Sequence, residues 1–92
     1  MPNRAKAKAM HTAVLAQLNA EILTAGLTPT SLARQMDLNY GSFRKYLNGE
    51  LEIHLFMVWD ILEELQVSPV EFMQSVEALD ARGQGSPKSS IL

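Results

Sequence analysis

The 92-residue chain has no cysteine, so neither a disulfide framework nor a cysteine zinc site can form in it. No apolar run reaches the length of a membrane span, and the first ten residues, MPNRAKAKAM, hold no hydrophobic stretch of the secretory-signal type. The parts of an enzyme are missing as well. Histidine occurs only as His11 and His54, in separate segments, no Gly-rich phosphate loop follows a strand, and no serine or carboxylate pair stands beside a base. Asp60, Glu63 and Glu64 fall on the solvated side of an amphipathic segment, where they lack partners to hold a metal. These absences predict a cytoplasmic protein that is not an enzyme and uses no cofactor or metal. The length allows one small domain, residues 1–80, and no separate ligand-sensing domain.

What is present centres on PTSLARQMDLNYGSFRKYLNG, residues 29–49. Leu32, Ala33 and Met36 lie at helical spacing on one side of a first segment, and Phe43, Tyr46 and Leu47 do so on a second. The opposite side of the second carries Tyr40, Gly41, Arg44, Lys45 and Asn48 at i, i+1, i+4, i+5 and i+8, one stripe of a helix. Such a stripe of polar donors belongs outside a core. Thr28 before Pro29 reads as an N-cap followed by proline at the first helical position. Asn39 caps the second helix, Gly49 ends it with positive φ, and Leu38 tucks beneath the Asp37-Leu38-Asn39 corner.

With Leu32-Ala33, Met36, Leu38, Phe43 and Leu47-Asn48-Gly49 at these positions, the segment resembles the helix-turn-helix of the phage repressor and Cro family, also called the XRE-like group. The resemblance continues through Ile61-Leu62-Glu63-Glu64-Leu65-Gln66-Val67-Ser68-Pro69 and covers roughly residues 10 to 80. It implies an all-α, lambda-repressor-like bundle of about five short helices that binds double-stranded DNA, with residues 39–48 as the recognition helix. Two positions depart from the family pattern. Asp37 replaces the usual turn glycine, which aspartate tolerates at modest cost. Pro29 replaces a glutamine that holds a phosphate, and that contact is lost or moves to Thr30 or Arg34.

The implied roles follow from reach and chemistry. Lys45 is assigned to base edges and Arg44 to bases or phosphates. Tyr40 and Ser42 lie in the first turn, the end placed deepest in the groove, and Tyr40 reads equally as a partly exposed packing aromatic. Gly41 permits close approach of the backbone, at some cost in helix propensity. Thr30 and Asn48 flank the helix as phosphate contacts, aided by the helix dipoles, with Asn48 equally a plain C-terminal turn residue. The DNA-binding set is thus Thr30, Arg34, Asn39, Tyr40, Gly41, Ser42, Arg44, Lys45 and Asn48. Arg4, Lys6 and Lys8 alternate with alanine as an arm along the duplex or as a solvated terminus.

The formal charge of −2 is unevenly spread. Residues 1–49 carry +4, from six Lys/Arg and two acids, and residues 50–92 carry −6, from two Lys/Arg and eight acids. This predicts a basic face toward phosphate and an acidic one turned away. A first helix is expected from about Lys6 to Ala25, with Met10, Val14, Leu15, Leu18 and Ile22 inward and Gly26 closing it. A fourth runs from about His54 to Leu65 with Leu55, Val58, Trp59, Leu62 and Leu65 completing the core against helices two and three and Trp59 at the centre. Ser68-Pro69-Val70-Glu71 opens a fifth helix to about Asp80 with a capping box. Residues 81–92, rich in Gly, Ser and Pro, read as a disordered tail.

Helix five carries more apolar side chains than a domain this small can bury equally. Phe72, Met73, Val76 and Leu79 therefore form a candidate homodimer interface, pairing two recognition helices on a palindrome, or else cap the domain's own core. The alternative function is a protein-interaction module of repressor-like fold, such as an antitoxin, anti-repressor or adaptor, whose partner binds the acidic half. Repressor, Cro-like switch and antitoxin-type autorepressor remain equally open.

Overall fold

The computed structural model describes residues 4–81. They form five helices and no strand: α1 Arg4–Thr24, α2 Pro29–Gln35, α3 Tyr40–Asn48, α4 Leu55–Leu65 and α5 Pro69–Ala81. The expectation of an all-α bundle of five short helices holds, and each expected boundary lies within about two residues of the observed one. The disorder expected of the tail concerns residues that, apart from Ala81 at the end of α5, lie outside those described.

The helix ends follow from local chemistry. The Thr28 side chain accepts from the Ser31 N–H at 3.1 Å while Ser31 Oγ accepts from the Thr28 N–H at 2.9 Å, a reciprocal cap, and Pro29 occupies the first turn. Asn39 Oδ1 accepts the Ser42 N–H at 2.9 Å and so starts α3. Gly49, at φ 87°, stops α3 in the left-handed conformation that costs glycine least. Ser68 Oγ accepts the Glu71 N–H at 3.3 Å at the head of α5. Asp37 adopts φ 58°, as the turn requires, and Gln66 ends α4 at φ 60°.

α1 is the spine. It packs most extensively against α5 and also meets α3 and α4, whereas α2 packs on α3. Because three helices meet α1, its inward residues spread over more than one side: Ala13, Leu18 and Ile22 are buried, and Met10, Val14 and Leu15 are half-buried. The core is completed by Leu32 and Ala33 of α2, Phe43 and Leu47 of α3, Val58, Ile61 and Leu62 of α4, and Phe72 and Val76 of α5. Among the described residues no polar or charged residue is buried, so the interior has no polar side chain to satisfy.

Three expectations are corrected. Trp59 is only half-buried and stands at the edge of the core; the largest fully buried side chains are Phe43 and Phe72. Leu55 is 63% exposed, because the buried side of α4 begins at Val58 and takes in Ile61 instead. α4 makes its main backbone contact with α1, so it completes the core from that side and not against helices two and three alone. Phe72 ties α5 to the core, and truncating a buried phenylalanine costs about 3–5 kcal/mol through lost transfer energy and a cavity. Urea unfolding of Phe72→Ala should therefore remove most of a small domain's stability, while Trp59→Ala costs distinctly less; equal losses would restore Trp59 to the centre.

Candidate nucleic-acid interface

α3 is nine residues long, too short to persist alone, so its orientation is set by what it buries. Phe43 and Leu47 are buried and Tyr46 is half-buried. A helix turns by 3.6 residues, so burying these three rotates Tyr40, Gly41, Arg44, Lys45 and Asn48 outward, and all five are exposed. The polar stripe read in the sequence is thus a real exposed face.

Its electrostatics are one-sided. Among the described residues Arg34, Arg44 and Lys45 have no acidic partner within ion-pair distance, so their charge is not consumed within the domain. Arg34 lies exposed on α2. It meets the head of α3 across a concavity of about 320 Å³ lined by Thr30, Ala33, Arg34, Asp37, Leu38 and Tyr40. This hollow brings three of the expected site residues, Thr30, Arg34 and Tyr40, onto one surface. Its lip includes the Asp37 carboxylate, which disfavours a phosphate at that spot. Tyr40, 43% exposed, is one of the residues lining the hollow.

Two expected contact residues are already engaged. Asn39 uses its side-chain oxygen to cap α3. Asn48 donates to the Glu50 carboxylate at 2.7 Å and accepts the Glu50 N–H at 3.0 Å, which fits the reading of Asn48 as a turn residue. Gly41 has a local use beside close approach of its backbone. A Cβ there would stand 3.3 Å from Asn39 Oδ1, crowding the capping oxygen.

Other features escaped the reading of the sequence. Asn19 of α1 donates to the Leu47 carbonyl at 3.1 Å and to the Leu15 carbonyl at 2.8 Å, tying the end of α3 to the spine. The only signal for it was a lone asparagine inside a long helix, where asparagine is a poor helix former. Gln35 Nε2 donates to Glu64 Oε2 at 2.8 Å and links α2 to α4. Lys6 and Lys8 are exposed near the start of α1.

The candidate dimer set on α5 is divided by the packing. Phe72 and Val76 are both 0% exposed and belong to the domain's own core. They therefore leave the candidate interface, which keeps only exposed Met73 and half-buried Leu79.

Among the described residues no helix is long and apolar enough to cross a membrane, and no group of three His, Asp or Glu could hold a metal ion. Comparison with protein-family models, with curated proteins and with solved structures gives no match.

The face depends on α3 being held at both ends. Asn39→Ala should cost about 1 kcal/mol through the lost cap, and Asn19→Ala about 0.5–1.5 kcal/mol through the lost bond to the Leu47 carbonyl. Both are read as a lower urea midpoint at unchanged slope. An unchanged midpoint for Asn19→Ala would show that the tie holds nothing.

Proposed function

We propose that the chain is a sequence-reading, double-stranded DNA-binding transcriptional regulator of the repressor and Cro kind, with α3 laid in the major groove. The observation that carries this is the outward face of α3. Arg44 and Lys45 stand there exposed with no acidic partner among the described residues, beside Tyr40 and the Arg34-lined hollow. Lys45 in the last turn complements the helix dipole, whereas Arg44 beside it, exposed and unpaired, suits a polyanion more than it serves stability. The duplex major groove admits a helix, and arginine and lysine donate to the O6 and N7 acceptors of guanine. Thr30 and Arg34 on α2 then lie toward the flanking backbone, where phosphate contacts fix register without reading sequence. Regulation follows from occupancy: a domain this size on an operator excludes other proteins from the same stretch of duplex.

A second reading, a repressor-like fold that docks another protein through its acidic half, draws on the −6 charge of residues 50–92 and on exposed Val70 and Met73 of α5. The two part company at Arg44 and Lys45, which the second does not use.

Fluorescence anisotropy of a labelled mixed-sequence duplex, titrated across salt concentrations, tests the proposal. Binding should weaken steeply with salt, and Arg44→Ala/Lys45→Ala should lower affinity at least about tenfold and flatten the log–log salt slope by about one per phosphate contact removed. A folded wild-type chain that does not bind at low salt would refute DNA reading and leave the protein-docking alternative.

A further inference from the structure

Asp37 is the residue near the proposed DNA face that the domain's own stability explains least. Its N–H donates to the Arg34 carbonyl at 3.2 Å and the Leu38 N–H donates to the Ala33 carbonyl at 2.8 Å, the paired bonds that close α2. Asp37 thus holds the closing position that glycine fills most readily, and its φ of 58° carries a strain glycine would not feel. A local hydrogen bond from the side chain is what usually offsets that strain for aspartate. The exposed Asp37 carboxylate makes none among the described residues, and no cation there lies within ion-pair distance of it. It also sets a negative charge at a helix C-terminus, where the dipole favours a cation. In backbone, hydrogen bonding and charge alike, the fold gains nothing from aspartate at this corner.

What Asp37 does adjoin is the hollow between α2 and α3, which it lines together with Arg34, Thr30 and Tyr40. We infer that Asp37 is a specificity-determining residue of the duplex-reading site, whose carboxylate keeps a backbone phosphate from seating in that hollow. The inference rests on the DNA-binding reading and deepens it.

Without the carboxylate, a guanidinium and two hydroxyls around about 320 Å³ of open space would make an anion seat. Phosphates are alike in every sequence, so such a seat would hold the domain on any duplex, including in registers where α3 meets no base edge. A like charge in the hollow penalises those registers. In the reading register the grip comes from Arg44 and Lys45 on the outward face of α3, neither of which lines the hollow. A repulsive group that weighs more on the wrong register than on the right one raises discrimination as an added contact would. Arg34 is the partner through which the effect must run, because it is the cation that shares the hollow with Asp37.

The test is fluorescence anisotropy at low salt with wild type, Asp37→Asn, Arg34→Ala and the double variant. Each is titrated with a mixed-sequence duplex and with a duplex enriched from a random pool by the wild-type chain. Asparagine keeps the size of the side chain and tolerates the left-handed conformation, so the urea midpoint of Asp37→Asn should equal or exceed that of wild type. Asp37→Asn should bind the mixed-sequence duplex at least about threefold more tightly, gain less on the enriched duplex, and lose its advantage at high salt. In the Arg34→Ala background the gain should vanish. Asp37→Gly, uncharged and free of the backbone strain, should repeat the gain of Asp37→Asn.

Equal binding by wild type and both uncharged variants overturns the inference. So does a gain that survives Arg34→Ala, which would reduce Asp37 to one more unit of net charge, and so does an equal gain on both duplexes, which would make it a residue of affinity alone. In each of these cases the wild type still binds duplex, so the DNA-binding reading stands. If no variant binds either duplex, that reading falls and the inference falls with it.

Discussion

The rotation of α3 about its own axis is the constraint on which the surface chemistry depends. Nine residues cannot hold a helix in water without tertiary support. Burial of Phe43 and Leu47, each contributing about 1.5–3 kcal/mol, supplies that support. Only one rotation satisfies both, and it turns Arg44 and Lys45 outward together. The two ends are secured separately, by the Asn39 cap at one and by Gly49 and the Asn19 bond to the Leu47 carbonyl at the other. A face presented by such a helix is preorganised, which is what reading base edges at hydrogen-bond distances demands.

α1 bears the rest. With α3, α4 and α5 all resting on it, the 21-residue helix is the element on which most contacts between helices converge, α2 being held by α3 and by the Gln35–Glu64 bond to α4. The arrangement separates two tasks. Phe72 and Val76 lock α5 to the spine and give stability far from the polar stripe, while α2 and α3 form a smaller unit whose outer side is left for function. That separation explains why Phe72 and Val76, apolar and on an amphipathic helix, are not an interface: the spine had already claimed them.

Where the sequence reading succeeded, a local rule determined the outcome. Thr28-Pro29, Asn39 and Gly49 are caps set by the chemistry of one or two residues, and Asp37 was placed in a turn by its tolerance of positive φ. The stripe on α3 followed from period alone. It failed where three-dimensional packing chose among equivalent apolar residues. Trp59, Leu55 and Ile61 all lie on an apolar helix, and only the position of α4 on α1 selects Ile61 for the core and leaves Leu55 outside. The Asn19 bond was unreadable for another reason: its acceptor, Leu47, is twenty-eight residues away, and a backbone carbonyl leaves no mark on sequence.

The charge distribution acquires a geometric meaning once the helices are placed. Arg34, Arg44 and Lys45 gather on α2 and α3, whereas Glu63 and Glu64 lie on α4 and Glu71 and Glu77 on α5. On the proposed reading, the attraction for phosphate comes from α2 and α3, and the acidic side chains of α4 and α5 oppose it. Glu50 sits at the boundary, held by Asn48 at the end of α3, so the cationic stretch ends in a carboxylate there. A net charge of −2 is then no argument against a polyanionic partner. If α3 reads a duplex as proposed, that charge keeps non-specific attraction modest and leaves discrimination to the few side chains at the base edges and to the geometry with which α3 is held.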